Sequence, residues 1–82
     1  MPSKSPLQPL SSARSRVGAN IRRLRKAMEG KVSQEKLGEW AGCHRTYVSQ
    51  LERAKTNISV DRLERFAQIF GVDIVDLFQP LA

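Results

Sequence analysis

The side chains with most chemistry to offer lie in one run, Arg45 to Arg53, which reads RTYVSQLER. Only Val48 and Leu51, three apart, give a helix through this run an apolar edge. Arg45, Thr46, Tyr47, Ser49, Gln50 and Arg53 are then left to face a ligand. Their chemistry is directional hydrogen bonding. A guanidinium and a carboxamide can each make two parallel hydrogen bonds to a planar partner, and threonine pairs a hydroxyl with a methyl. Ser49 adds a small hydroxyl beside them. His44 precedes the run, but no Ser, Cys or carboxylate constellation accompanies it, so it reads as a helix cap or a phosphate contact. An enzyme has no residues here to rest on.

Such a helix needs a rigid support, and the preceding stretch SQEKLGEWAG supplies one. Ser33 is a good N-cap, with Glu35 and Lys36 suited to the first turn. Leu37, Trp40 and Ala41 fall on one helical face. Gly42 can take the left-handed conformation that ends a helix and redirects the chain. Gly38, inside the helix, costs about 1 kcal/mol relative to alanine. A crossing at roughly 90–120° would justify it, with Gly38 lying opposite Val48 where only a hydrogen or a methyl fits. Cys43, the single cysteine, can form neither an internal disulfide nor a zinc cluster and reads as a small apolar plug at the turn.

The whole chain of 82 residues has room for one small domain. Residues 1–14 carry three prolines, several serines and no apolar periodicity, and are expected to be a disordered basic arm from which Lys4 and Arg14, with Arg16 just beyond, could reach a polyanionic partner. Residues 15–79 form the folded unit and 80–82 a tail. Val17, Ile21, Leu24 and Met28 make a helical seam, which Glu29-Gly30-Lys31 interrupts. Ser59 caps a later helix in which Val60, Leu63, Phe66, Ala67 and Phe70 recur, and Gly71 stops it. Asp73 then caps a short last helix carrying Ile74, Leu77 and Phe78 on its apolar side. Five helices and no strand are expected.

The formal charge of +6 is unevenly placed. Residues 1–31 hold eight basic and one acidic side chain, whereas residues 59–82 hold two basic and four acidic. A basic front suits a polyanion, and an apolar patch at the acidic end suits a second copy of the chain. No run of about 18 apolar residues and no signal-like segment is visible, so a cytoplasmic location is expected.

The segment from Ile21 to Phe78 resembles the helix-turn-helix of the phage-repressor and Cro type, the XRE family. SQEKLGEWAG, VSQLERAKTNIS and RLERFAQIFGVDIVDLF carry the resemblance, and RTYVSQLERAKTNIS is also similar to the controller proteins of restriction–modification systems. The stretch between Ile21 and Gln34 is longer than the family pattern. The resemblance implies an all-α, five-helix lambda-repressor-like domain. It implies base contacts from Arg45, Thr46 and Gln50, with Ser49 next in rank, and a phosphate contact from Gln34 at a helix N-terminus. His44, Tyr47, Arg53, Lys55 and Asn57 are further phosphate candidates, and Lys31 lies on a loop that could approach one. An arginine at the Arg25 position pairs with the glutamate at Glu52 in this family. Phe70, Ile74, Leu77 and Phe78 are the expected dimer contacts.

The implied function is sequence-specific regulation of transcription by a homodimer on a palindromic operator, with autoregulation of the controller type as one version. The partner is double-stranded DNA, with no cofactor, metal, membrane or small-molecule ligand indicated. The alternative is an antitoxin-type module that covers a toxin partner with its acidic, apolar end and binds DNA secondarily.

Overall fold

The structure is a computed structural model that describes residues 12–80. Four α-helices follow one another: α1 (Ala13–Ala27), α2 (Gln34–Ala41), α3 (Arg45–Glu52) and α4 (Val60–Phe70). A 3₁₀ helix, Ile74–Phe78, closes the chain. There is no strand among the described residues. No helix among them is long and apolar enough to cross a membrane.

Helices α1, α2 and α4 each start on a serine that satisfies an orphan N–H group. Ser12, Ser33 and Ser59 accept from the backbone N–H of Ser15, Lys36 and Arg62. Gly42 and Gly71 end α2 and α4 in the left-handed region, at φ 74° and 71°. Asp73 and Asp76 form a reciprocal capping box around the 3₁₀ helix.

Two expectations change at the ends. The fifth helix is a 3₁₀ helix of five residues and not an α-helix. Asp73 opens it and the extended Gln79 before Pro80 closes it, so too few residues remain for an α-helical ladder. At the other end, α1 begins at Ala13 because Ser12 caps it, so Ala13 and Arg14 belong to the helix and not to an arm. The rest of the arm expected over 1–14, with Lys4, lies outside the described residues, as does the tail beyond Pro80.

The core is one cluster. Ile21 of α1, Leu37 of α2, Val48 of α3, Phe66 of α4 and Leu77 of the 3₁₀ helix are completely buried within it. Helix α3 lies between α1 and α2. The approach of α1 to α3 depends on Gly18: a Cβ there would stand 2.3 Å from the Leu51 carbonyl oxygen. A Cβ on Gly38 would stand 2.6 Å from the Cys43 carbonyl oxygen. The close partner of Gly38 is therefore the turn backbone and not Val48. This contact turns the buried face of α2 toward Leu37, Gly38 and Ala41. Trp40, roughly 100° round the helix from the middle of that face, is left 46% exposed instead of sharing it.

Asn20 is a fully buried polar side chain, and its amide holds the C-terminal end in place. Its nitrogen donates to the carbonyls of Leu77 and Gln79 at 3.0 and 2.8 Å. These bonds pull the 3₁₀ helix onto α1 and seat Leu77 in the core. Leu77 is consequently not a surface for a second copy, contrary to the expectation. Phe70 is half-buried and stacks on Phe66 with ring centroids 6.5 Å apart, and Ile74 is half-buried against the core. The exposed apolar groups of the 3₁₀ helix are Val75 and Phe78.

Candidate nucleic-acid interface

Helix α3 is anchored from behind by an ionic network. The Arg25 guanidinium donates to both oxygens of Glu52, at 2.7 and 3.0 Å, and to the Val32 carbonyl at 3.0 Å. The Gln34 amide nitrogen donates to the same Glu52 carboxylate at 3.0 Å. The glutamate side chain is 1% exposed and the arginine side chain 12%. Glu52 holds the Arg25 guanidinium still further toward its protonated form, outweighing the opposing effect of burial. The network joins α1, the loop before α2, the first residue of α2 and the last residue of α3. It sets the position of α3 against α2.

The start of α3 is fixed by His44. Its backbone is extended, and its Nδ1 accepts from the Thr46 backbone N–H at 3.0 Å. The Thr46 hydroxyl lies 3.0 Å from the same nitrogen. An Nδ1 that accepts the backbone proton is met by the Thr46 hydroxyl as a donor too, which leaves the oxygen lone pairs and the methyl of Thr46 for an outside partner.

Arg45 and Thr46 are exposed, and Ser49 and Gln50 are half-buried, so no packed layer covers this face. Gln34, Arg45, Thr46 and Ser49 together line a hollow of about 250 Å³ between α2 and α3. Gln34 faces it with an amide nitrogen already engaged by Glu52.

The other flank of α3 is organised by Tyr47. Its hydroxyl donates to the Asn57 carbonyl at 2.8 Å. The Arg62 guanidinium lies 5.2 Å from the centre of its ring. Burial pushes the Tyr47 phenol above its ordinary range, partly opposed by Arg62, so it stays a donor. The Asn57 side-chain oxygen accepts from Arg14 of α1. Tyr47 and Asn57 are thus tied to each other and to two arginines. Arg53 and Lys55 are exposed on the connector after α3, where Ala54 takes a left-handed turn at φ 59°. Arg53 Nε donates to the Ser49 carbonyl at 3.4 Å. The Cys43 thiol sits half-buried at the turn, raised by that burial against the pull of Arg62. Among the described residues no His, Cys, Asp and Glu group has the arrangement to hold a metal ion.

Three residues that matter here went unread in the sequence. Asn20 interrupts an apolar seam three residues after Val17, a signal that could have marked it as a buried polar anchor. Gly18 lies on the same helix, and a glycine inside a helix is the signal already read at Gly38. Arg62 carried no local signal, because its contact is made across the fold; Arg14, expected on a disordered arm, stands instead in α1 against Asn57.

Comparison with known proteins agrees with this geometry. Residues 21–77 match the family model described as helix-turn-helix, HTH_3. The chain is 38% identical over 60 residues to the control protein C.BamHI of Bacillus amyloliquefaciens, covering 73% of each chain. Among solved structures, a hypothetical transcription factor from Neisseria, NHTF, superposes with a TM-score of 0.75 at 32% identity, covering 88% of this chain and 86% of that one. The restriction–modification controller protein C.AhdI from Aeromonas hydrophila gives a TM-score of 0.70 at 32% identity, over 79% of this chain and 91% of that one. A two-helix support, an outward polar helix and a family match over most of the fold lead to one conclusion: the chain belongs to the XRE-type helix-turn-helix family of DNA-binding transcriptional regulators.

Proposed function

We propose that the protein is a sequence-specific regulator that binds a palindromic operator as a homodimer. The observation that carries this reading is the outward face of α3: Arg45, Thr46, Ser49 and Gln50 stand clear of any packed layer while Val48 and Leu51 anchor the helix behind them. Arg45 and Gln50 supply two-pronged readers of guanine and adenine, Thr46 a methyl for thymine, and Ser49 a second-rank hydroxyl. Gln34, His44, Tyr47, Arg53, Lys55 and Asn57 surround that face at positions suited to phosphate, where contacts orient the protein without choosing sequence. Two copies of α3 would enter successive major grooves about 34 Å apart.

The second copy meets the acidic end of the molecule, where Val75 and Phe78 are exposed beside half-buried Phe70 and Ile74. Control by protein concentration then needs no cofactor, and the reading is non-enzymatic. A controller-type circuit, in which the protein activates and later represses its own gene, is the version favoured by likeness to C.BamHI and C.AhdI. Likeness to those controller proteins supports the regulator reading over the antitoxin one.

Selection of bound sites from random DNA tests the reading. The expected result is a palindrome whose half-sites lie one helical turn apart, and sedimentation of a dimer that Phe78→Asp converts to monomer. No preference over shuffled competitor at moderate ionic strength would overturn it.

A further inference from the structure

We propose that Arg62 and Arg14, supported by Tyr47 and Asn57, form a second phosphate-binding rim on the flank of α3 away from Gln34. This rests on the DNA-binding reading above and adds two contacts from outside the two motif helices.

The argument begins with the turn of a helix. Successive residues of α3 lie about 100° apart. Arg45, Thr46 and Ser49 share a hollow with Gln34, so one flank of α3 faces the start of α2. From Thr46 the face passes through Gln50 and reaches Tyr47 about 100° away, on the opposite flank. Tyr47 is locked there by its bond to the Asn57 carbonyl. An α-helix with its side chains is roughly as wide as the major groove of B-DNA, about 12 Å. Groups on its two flanks therefore meet the phosphates of opposite strands. Gln34 serves one strand, and whatever stands around Tyr47 and Asn57 serves the other.

What stands there is positive charge. Arg62 of α4 is exposed, with its guanidinium over the Tyr47 ring. Arg14 of α1 is exposed, with one nitrogen on the Asn57 side-chain oxygen. Lys55 is exposed on the same connector. Ion pairs among the described residues join Arg25 to Glu52 and Lys36 to Glu39, and neither Arg14 nor Arg62 is in one. Both cations are thus held in place by neutral partners. A ring face and an amide oxygen restrict a guanidinium without cancelling its charge, and they leave most of its five N–H donors available. Such a guanidinium binds phosphate with two parallel bonds at a reduced loss of side-chain freedom. Asn57, whose oxygen is occupied, then acts as a positioning residue for Arg14. Tyr47 acts likewise for Arg62.

The measurement is the slope of log affinity against log salt concentration, for the full chain on its selected operator and on random duplex. Each phosphate contact contributes about 0.9 to that slope. Arg62→Gln and Arg14→Gln should each lower it by about one unit on both DNAs, without changing the preferred sequence. Tyr47→Phe keeps the ring and should keep the Arg62 share of the slope, whereas Tyr47→Leu should lose it. Arg62→Lys, which retains charge without the planar fork, should restore most of the slope. Thermal unfolding of each variant confirms that the fold is intact. Unchanged slopes in folded Arg62→Gln and Arg14→Gln would overturn the rim while leaving the regulator reading in place. A wild-type chain with no preferred sequence would instead overturn the regulator reading.

Discussion

Arg25 and Glu52 face each other across the junction of three helices, joined by two bonds of 2.7 and 3.0 Å. The carboxylate is closed off from solvent, and Gln34 supplies a third donor to it. A buried pair with both carboxylate oxygens bonded contributes chiefly to position, since its own desolvation opposes its attraction. Removing one partner is another matter, because the other charge is then stranded. Glu52→Gln should destabilise the domain by roughly 3–5 kcal/mol, with Arg25→Ala comparable and the double variant less than additive. Urea unfolding in a double-mutant cycle measures this. Strict additivity would show that the pair does not couple α1 to α3.

The contact of α1 with α3 leaves no room for a side chain at Gly18. Alanine would improve helix propensity by about 1 kcal/mol. Its Cβ would meet backbone oxygens of Leu51 and Glu52 at 2.3 and 3.0 Å, atoms that cannot move without shifting α3. Overpacking of this kind costs about 1–3 kcal/mol or more, so the clash should win. The expected outcome for Gly18→Ala is a lower melting temperature together with weaker operator binding. A raised melting temperature would contradict the geometry.

Asn20→Leu preserves bulk but leaves the Leu77 and Gln79 carbonyls without their donor. The buried Leu77 carbonyl left unsatisfied costs about 1–3 kcal/mol, whereas the part-buried Gln79 carbonyl can turn to water. The 3₁₀ helix should loosen from α1, which amide hydrogen exchange at residues 74–78 would register as lost protection. Retained protection there would mean that Leu77 alone holds the segment.

Arg45 and Lys55 should respond differently to alanine. Arg45→Ala removes a base reader and should relax specificity at one operator position by about 1–3 kcal/mol. Lys55→Ala removes a phosphate contact and should weaken all sequences alike, lowering the salt slope by about one unit. Competition binding against operators changed at single base pairs separates the two. A selective loss with Lys55→Ala would exchange their roles.

Stability should fall in alkali. Burial raises both the Cys43 thiol and the Tyr47 phenol, and each is neutral while protonated. The folded protein therefore holds these protons to higher pH than the unfolded chain does. The stability they contribute is complete below the ordinary thiol and phenol values and is lost as pH rises through the raised folded ones. Urea midpoints should decline as pH rises past the ordinary thiol and phenol ranges. Cys43→Ala and Tyr47→Phe should flatten that decline, and an unaltered profile in both would exclude these groups as its source.

Much of this protein is local, and local features are legible from residue order alone. Ser33, Ser59 and Asp73 cap because a short oxygen at that position reaches N–H groups two or three residues ahead. Gly71 ends α4 because only a residue without Cβ enters the left-handed region cheaply. The helix-turn-helix text from Ile21 to Phe78 identified the family, and the family model matches residues 21–77. The balance of charge along the chain is likewise a property of sequence. Tertiary structure decided what depends on partners far along the chain. Leu77 and Phe78 are neighbours of similar character, yet Asn20, 57 residues before Leu77, buries the first and leaves the second outside. Trp40 has the spacing of a core residue, but the turn pressed against Gly38 rotates α2 away from it. Arg62 looks like an ordinary surface cation until Tyr47 is seen beside it, and Arg14 looks like part of a loose arm until α1 sets it against Asn57. Periodicity specifies that a helix has an apolar side. Which residue at the edge of that side is covered depends on where the other helices come to rest, and that is a property of the assembled core.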